Sequence, residues 1–278
     1  MPLEGEIRFA IDHSRASVNT FRRSLISDSS PPHPIAIAVP GSISYHKQVI
    51  FERMLLWMDP VKRPGPEAMA VDEWLLETAE LPVLRVYGWR GEWGSVGYFG
   101  CLTEARASFP GVDWVRRWTG GGTVDHRNDW TYTLVAPSGG GLAKLRGAES
   151  YQVVHEALAA CLTEEGLSAR LSTGAGETGA AACFQNPVNH DIVGPGGAKL
   201  AGAGQRRTKR GLLHQGSVAA ACDPEKSHAR AQRLAACLTD NWQIADLRPP
   251  QDWIDKKVLE RYGSIPWITR RSGVLQAP

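Results

Sequence analysis

The sequence contains no apolar run near the roughly 18 to 20 residues needed to cross a bilayer; the stretch from Pro34 to Pro40 is far too short. Excess charge of one sign is also missing. Lys and Arg number 31 against 29 Asp and Glu, a net charge of +2, so no global field points to nucleic acid or a membrane surface as a partner. Cysteine is sparse, and the five present (Cys101, Cys161, Cys183, Cys222 and Cys237) form no CxxC pair and no Cys/His cluster. No metal site and no secreted disulfide framework is therefore expected, and a reducing, cytoplasmic setting fits. A secretory pattern is missing too, because Glu4, Glu6 and Asp12 mix with Arg15, Arg22 and Arg23 and no apolar core segment separates them.

What remains is globular composition, with 42% hydrophobic and 22% charged residues over 278 positions, enough for one large domain with appendages. Residues 1–53 stand apart: the Ser/Pro segment SDSSPPHP, Ser27 to Pro34, cannot pack a core. They are expected to form a poorly ordered arm, and Met54 and Met58 are candidate translation starts. Residues 54–278 are expected to form a single domain.

From Pro64 onward the pattern is regular. Pro66 to Glu80 has Pro near its start and Val71 and Leu75 at helical spacing. Strands are expected after Pro82 in VLRVYGW, and at Ser95 to Phe99, Asp113 to Arg117 and Trp130 to Val135. Ser150 to Glu165 reads as an amphipathic helix. Short strands follow at Asp191 to Val193, Ala198 to Gly202 and Gly211 to Ala220, then helices near Pro224 to Cys237 and Asp252 to Tyr262. Runs of strands broken by a few helices predict an α+β domain rather than alternating βαβ units.

Three segments could carry chemistry. RRWTGGGTVDH, Arg116 to His126, places three consecutive glycines between two strands. Such a loop is useful where backbone must approach a ligand and its N–H groups hold oxygens; a tight hairpin with solvated arginines is the plain alternative. Arg116 and Arg117 alternate across a strand, so only one can face the site. GAKLAGAGQRR, Gly197 to Arg207, sets Lys199 in a Gly/Ala-rich strand, where it can polarise a carbonyl or simply snorkel from an edge. AACFQNPVNHDIV, Ala181 to Val193, holds Cys183, either a thiol activated by a nearby cation or a small buried apolar residue. GAGETG, Gly174 to Gly179, matches GxGxxG literally but follows no long apolar strand and opens no clear helix, so it fails as a dinucleotide site.

Together these segments resemble the lipoate and octanoate branch of the biotin/lipoate ligase superfamily. Arg116 to His126 matches its RRxTGGGxVxH loop, and Gly197 to Arg207 its GxKxxGxAQxR strand, with Gly204 replacing the usual alanine. LHQGS, Leu213 to Ser217, stands where relatives have LHHGT or LQHGS. AMAVDEWLLE and RVYGWRGEWGSVGYFG resemble the family's opening helix and its RxYxWxxPxxSxG stretch. The resemblance covers roughly Glu67 to Ala220. It implies a mixed, largely antiparallel sheet packed with helices, and catalytic roles for Cys183 and Lys199. Arg117, Gly120, Gly121, Gly122, His126, Gly202, Gln205 and His214 would bind substrate in a narrow apolar tunnel. Cys183 matches the CF and proline of a transferase segment, CFxAPxxYEL, which the chain leaves at His190-Asp191-Ile192.

Two mechanisms follow from the resemblance. In the first, Cys183 takes an octanoyl group from octanoyl-acyl carrier protein and passes it to a lysine of a lipoyl-domain protein, either the glycine cleavage H protein or a 2-oxoacid dehydrogenase E2, with no cofactor. In the second, ATP and Mg2+ activate lipoate as lipoyl-AMP and Cys183 is a bystander. Ligases of this kind generally need an accessory domain or partner, and residues beyond Ala220 read as two helices with loops, which favours the transferase. A protein that binds acyl groups without catalysis is a third reading.

Overall fold

The computed structural model describes residues 49–174, 188–220 and 223–270. Its backbone is an eight-stranded sheet ordered β11-β1-β2-β6-β10-β9-β8-β7. β1 (Met54–Met58) pairs in parallel with β2 (Val83–Tyr87) and with β11 (Trp242–Ile244). From β2 onward every ladder is antiparallel: β6 (Trp130–Pro137), β10 (Gly211–Val218), β9 (Lys199–Arg207), β8 (Ile192–Val193) and β7 (Arg170–Leu171). The α+β class and the mixed, largely antiparallel sheet are as the sequence implied.

Period-two alternation gives this sheet two buried faces. Leu84, Val86, Tyr132, Leu134, Leu212 and Val218 face α4 (Gly147–Glu164) and α5 (Pro224–Leu238). Leu55, Trp57, Val83, Val135 and Leu213 face α1 (Gly65–Thr78) and α6 (Gln251–Lys257). α1 opens with Pro66, where a missing N–H costs nothing, and is buried along most of its length from Ala68 to Leu76. α4 is fixed at its start by Arg146 N donating to Glu149 Oε2 at 3.0 Å. α5 is capped by the Asp223 carboxylate, which accepts from Lys226 N at 2.9 Å.

A smaller sheet, which the sequence did not foretell as separate, is ordered β4-β3-β5. β3 (Trp93–Val96) pairs in parallel with β4 (Asp113–Arg116) and antiparallel with β5 (Thr123–Asp125). α2 (Leu102–Ser108) connects β3 to β4. α3 (Gly141–Lys144) and α7 (Ile265–Ile268) are short. The helix expected over Asp252 to Tyr262 is α6 continued by a π turn at Val258–Tyr262.

The packed part begins before residue 54. Phe51 is buried in the α4-side core, and Ile50 N and Phe51 N both donate to Leu238 O. Met54 and Met58 lie within β1 itself, so a chain started at Met58 would lack a buried central strand.

Candidate active site

The glycine loop hangs between β4 and β5, held from both sides. Arg116 and Arg117 point apart as strand alternation requires. Arg116 is fully buried and donates to the carbonyls of Gly97, Tyr98 and Gly100, and to those of Trp267 and Ile268 in α7. It staples the C-terminal helix to the loop after β3. Arg117 turns toward the glycines: Nη2 donates to Gly120 O at 3.1 Å and Gly122 O at 2.7 Å, and Nη1 to Ser95 Oγ at 2.8 Å. Gly121 adopts φ +91°, a left-handed conformation that favours glycine. Two outside glycines make room for the loop. A Cβ on Gly97 would lie 1.9 Å from Gly121 O, and one on Gly204 would lie 2.4 Å from Gly120 O. The Gly204 departure thus has a physical reason here: the loop rests directly on β9.

Beneath the loop, His126 sits in a closed set of partners. Its Nδ1 is 2.7 Å from Asp129 Oδ2 and its Nε2 is 2.7 Å from Ser95 Oγ. Trp89 stacks on the imidazole at 4.3 Å and donates from Nε1 to Thr131 Oγ1. Asp129 also accepts from Ser217 Oγ and from Thr131 Oγ1.

A second polar chain enters from α1. The Asp72 carboxylate accepts from Arg85 Nη1 at 2.6 Å, Gln215 Nε2 at 2.7 Å and Thr133 Oγ1 at 2.9 Å. With its amide nitrogen committed to Asp72, Gln215 presents Oε1 to Thr119 Oγ1 at 2.7 Å. A fully buried carboxylate therefore orients an amide that fixes the base of the glycine loop. Arg85 is shared with Asp59, whose Oδ2 lies 2.8 Å from Nη2, and stacks 4.0 Å over Tyr87. Burial holds the Tyr87 phenol well above its ordinary pKa, so it acts only as a neutral donor to Asp72.

Lys199 begins β9 next to an irregularity in the β8 ladder, where Val193 pairs with Lys199 but Ile192 pairs with Ala201. The extra residue upsets the alternation and lays Lys199 against Gly202, where a Cβ would come within 2.7 Å of Nζ. The lysine is not a bare cation. Its Nζ is 2.6 Å from Asp191 Oδ2, and Asp191 also accepts from Tyr151 OH at 2.5 Å and Val188 N at 2.8 Å. Asp191 stands at the glutamate of the YEL pattern, so the acid that pairs with Lys199 keeps that position's charge while His190 and Ile192 replace its neighbours.

The structure brings Arg117, Gly120, Gly121, Gly122, His126 and Gly202 together, with Lys199 on the flank of Gly202. It separates Gln205 and His214 from them. His214 precedes Gln215 on β10 and so points to the opposite, α4 face, where Nδ1 meets Gln205 Nε2 at 3.0 Å and Nε2 meets Tyr132 OH at 3.1 Å. Burial pushes its pKa well below the usual histidine value. This pair, expected to touch substrate, lies between the sheet and α4, with His214 against Tyr151 and His155. Cys183 lies outside the described residues, as do residues 175–179 of the GAGETG stretch.

The cleft between loop and β9 is lined by Met69, Trp89, Ser95, Arg117, His126, Gly202, Gln215 and Ser217, among others, and measures about 20 Å³. That is room for about one water, and the lining mixes Met69, Tyr87, Trp89 and Val124 with these polar groups. Ser95, Asp129, Asp72, Gln215, Ser217 and Asp191 were not singled out as site residues from sequence. All but Asp129 did fall inside the segments compared with the family, and that was the available signal.

Among the described residues no three His, Cys, Asp or Glu side chains are grouped as metal ligands, and no helix is long and apolar enough to cross a membrane. The family described as lipoyl protein ligase A/B catalytic domain matches residues 64–243. Octanoyltransferase LipM of Symbiobacterium thermophilum is 34% identical over 181 residues, which span 58% of this chain and 63% of that protein. Its namesake in Kyrpidia tusciae is 34% identical over 172 residues, spanning 56% and 62%. The matched stretch is thus under two thirds of either relative's length. In fold, the chain is similar to a T. acidophilum protein solved with bound lipoic acid, with TM-score 0.61, 20% identity and coverage of 79% and 99%.

Proposed function

Because the chain belongs to the lipoyl protein ligase A/B catalytic domain family, we propose that it transfers an octanoyl group to a lysine of a lipoyl-domain protein. The observation that carries this reading is the clamped loop. Arg117 draws the Gly120 and Gly122 carbonyls inward while Gly204 lets the loop lie on β9, next to a small cleft that Arg117 and Gly202 both line. A thioester carbonyl placed there would lie beside Lys199, whose charge, held in place by Asp191, would stabilise the developing oxyanion.

The donor in this reading is octanoyl-acyl carrier protein and the nucleophile is Cys183, in a segment similar to that of octanoyltransferases. Cys183 attacks the thioester carbon, the carrier thiol leaves, and the lysine amine then displaces the Cys183 sulfur. No cofactor takes part, and the setting is the cytoplasm. Residues from Ile50 onward act as one catalytic domain.

The test gives the protein a lipoyl domain with either octanoyl-acyl carrier protein alone or free lipoate plus ATP and Mg2+, and follows the mass of the lipoyl domain. Octanoylation without ATP, lost in Cys183→Ala, is the expected result. Attachment only with ATP, undiminished in Cys183→Ala, would replace the transferase with a ligase, and no attachment under either condition would overturn both.

A further inference from the structure

Asp129, His126 and Ser95 make a hydrogen-bonded line that ends in the cleft and has no part in the reading above. Donor chemistry permits one order of its protons that leads from the cleft to Asp129. Arg117 can only donate, so its 2.8 Å contact uses a lone pair of Ser95 Oγ. The Ser95 hydroxyl proton is then free for His126 Nε2, 2.7 Å away. With Nε2 accepting, the neutral imidazole carries its proton on Nδ1 and donates to Asp129 Oδ2 at 2.7 Å. Asp129 is oriented for that role by Ser217 and Thr131, and the ring by the Trp89 stack. Ser95 and His126 both line the cleft, yet Ser95 is 1% exposed and His126 9%, so bulk water does not take their place.

We propose that Asp129, His126 and Ser95 form a proton relay that deprotonates the acceptor amine as it attacks the acyl carbonyl. The proposal rests on the acyl-transfer reading but not on the identity of the donor, because amine attack closes the reaction for a thioester and an acyl phosphate alike. An alkyl ammonium with a pKa of about 10.4 is mostly charged at neutral pH, so the lysine reacts through its neutral form and the nitrogen must shed a further proton as the amide forms. The bond from nitrogen to the acyl carbon forms while that from carbon to the leaving group breaks with its electron pair. The N–H proton passes to Ser95 Oγ, and the Ser95 proton passes to His126 Nε2. Asp129 balances the imidazolium, which then returns its proton to the leaving group or to water. His126 thus acts as general base, with Asp129 as its positioning residue.

The test compares two acceptors for the octanoyl group, a lipoyl-domain lysine and hydroxylamine, a much less basic nitrogen whose adduct is acidic enough to lose its N–H proton to water without a general base. In His126→Gln, enzyme-dependent transfer to lysine should fall by about a hundredfold or more, while transfer to hydroxylamine stays within a few-fold of wild type. Asp129→Asn should show the same split, more weakly. Should His126→Gln melt early, Ser95→Ala, which removes a single hydroxyl, carries the same expectation. Equal loss with both acceptors would make the three residues structural and overturn the relay, as would lysine transfer near the wild-type rate. A wild-type protein inert toward both acceptors would overturn the acyl-transfer reading and the relay with it.

Discussion

The two faces of the large sheet are both buried, yet they are built from different materials. The α4 face is mostly aliphatic and aromatic, with Leu134, Leu158, Leu162 and Leu234 fully buried; its ion pair, Arg230 with Glu165 at 2.8 Å, lies off the sheet between α4 and α5, and burial holds His155 and His214 neutral. The α1 face carries ions. Arg85, Asp59 and Asp72 are joined at 2.6 to 2.8 Å with no side-chain exposure. Desolvating such groups gives back most of what their attraction provides, so stability alone is a poor reason for them. Their reach is a better one, since Asp72 leads through Gln215 and Thr119 to the glycine loop. One face holds the sheet together, and the other holds it in register with the site.

The largest effect expected from breaking this contrast is on Asp72. Asp72→Ala strands Arg85 beside Asp59 and frees Gln215, and should cost about 3 to 5 kcal/mol in urea unfolding. On the opposite face, Leu158→Ala should cost a comparable 2 to 5 kcal/mol by leaving a cavity. Acyl transfer, measured well below either midpoint, should separate them: Asp72→Ala loses it with its loop support, and Leu158→Ala keeps it. Equal activity in the two proteins would remove the distinction between the faces.

A smaller change tests the contact between loop and strand. Gly204→Ala puts a methyl where Gly120 O and Thr119 now lie, an overpacking that should cost about 1 to 3 kcal/mol. Transfer should therefore fall more than stability does, because Arg117 loses its hold on Gly120 and Gly122 before the core is disturbed. Thermal melting and transfer rate on the same sample would decide it, and unchanged transfer would show that the loop does not need to rest on β9.

The sequence was legible where side-chain pattern and backbone agree. Helices read at Pro66 to Glu80 and Ser150 to Glu165 are found at Gly65–Thr78 and Gly147–Glu164, because proline, spacing and cap signals coincide. β1 was missed because MLLWM is a short unbroken apolar run, without the alternation that marks a half-buried strand; it is buried on both faces between parallel neighbours. Arg85 shows the opposite pattern. In VLRVY it imitates a solvent-facing position, whereas all five residues of β2 are buried. The strand read at Ser95 to Phe99 ends at Val96, because Gly97 leaves the ladder to make room for Gly121. In the site, motif matching located the loop and Lys199. It could not see that Gln205 and His214 fall on the far face, since that parity becomes visible only when β10 is registered against β6 and β9.

The last expected difference between the faces is in pH. His155 is buried on the α4 face, donates from Nδ1 to His190 O at 2.7 Å, and its Nε2 has no hydrogen-bond partner among the described residues. Burial pushes its pKa from 6.5 down to about 4. Unfolding frees the imidazole to bind a proton at 6.5, so between pH 6.5 and about 4 the unfolded chain holds a proton that the native one refuses. Its contribution to stability is therefore fully present above 6.5 and is lost as the pH falls toward 4, by up to about 1.4 kcal/mol per pH unit. His214 is shifted in the same direction, so His155→Phe should flatten the slope of unfolding free energy between pH 7 and 5 without abolishing it. A slope unchanged in His155→Phe would mean that the acid sensitivity lies among the ions of the α1 face instead, and the contrast between the faces would have to be redrawn.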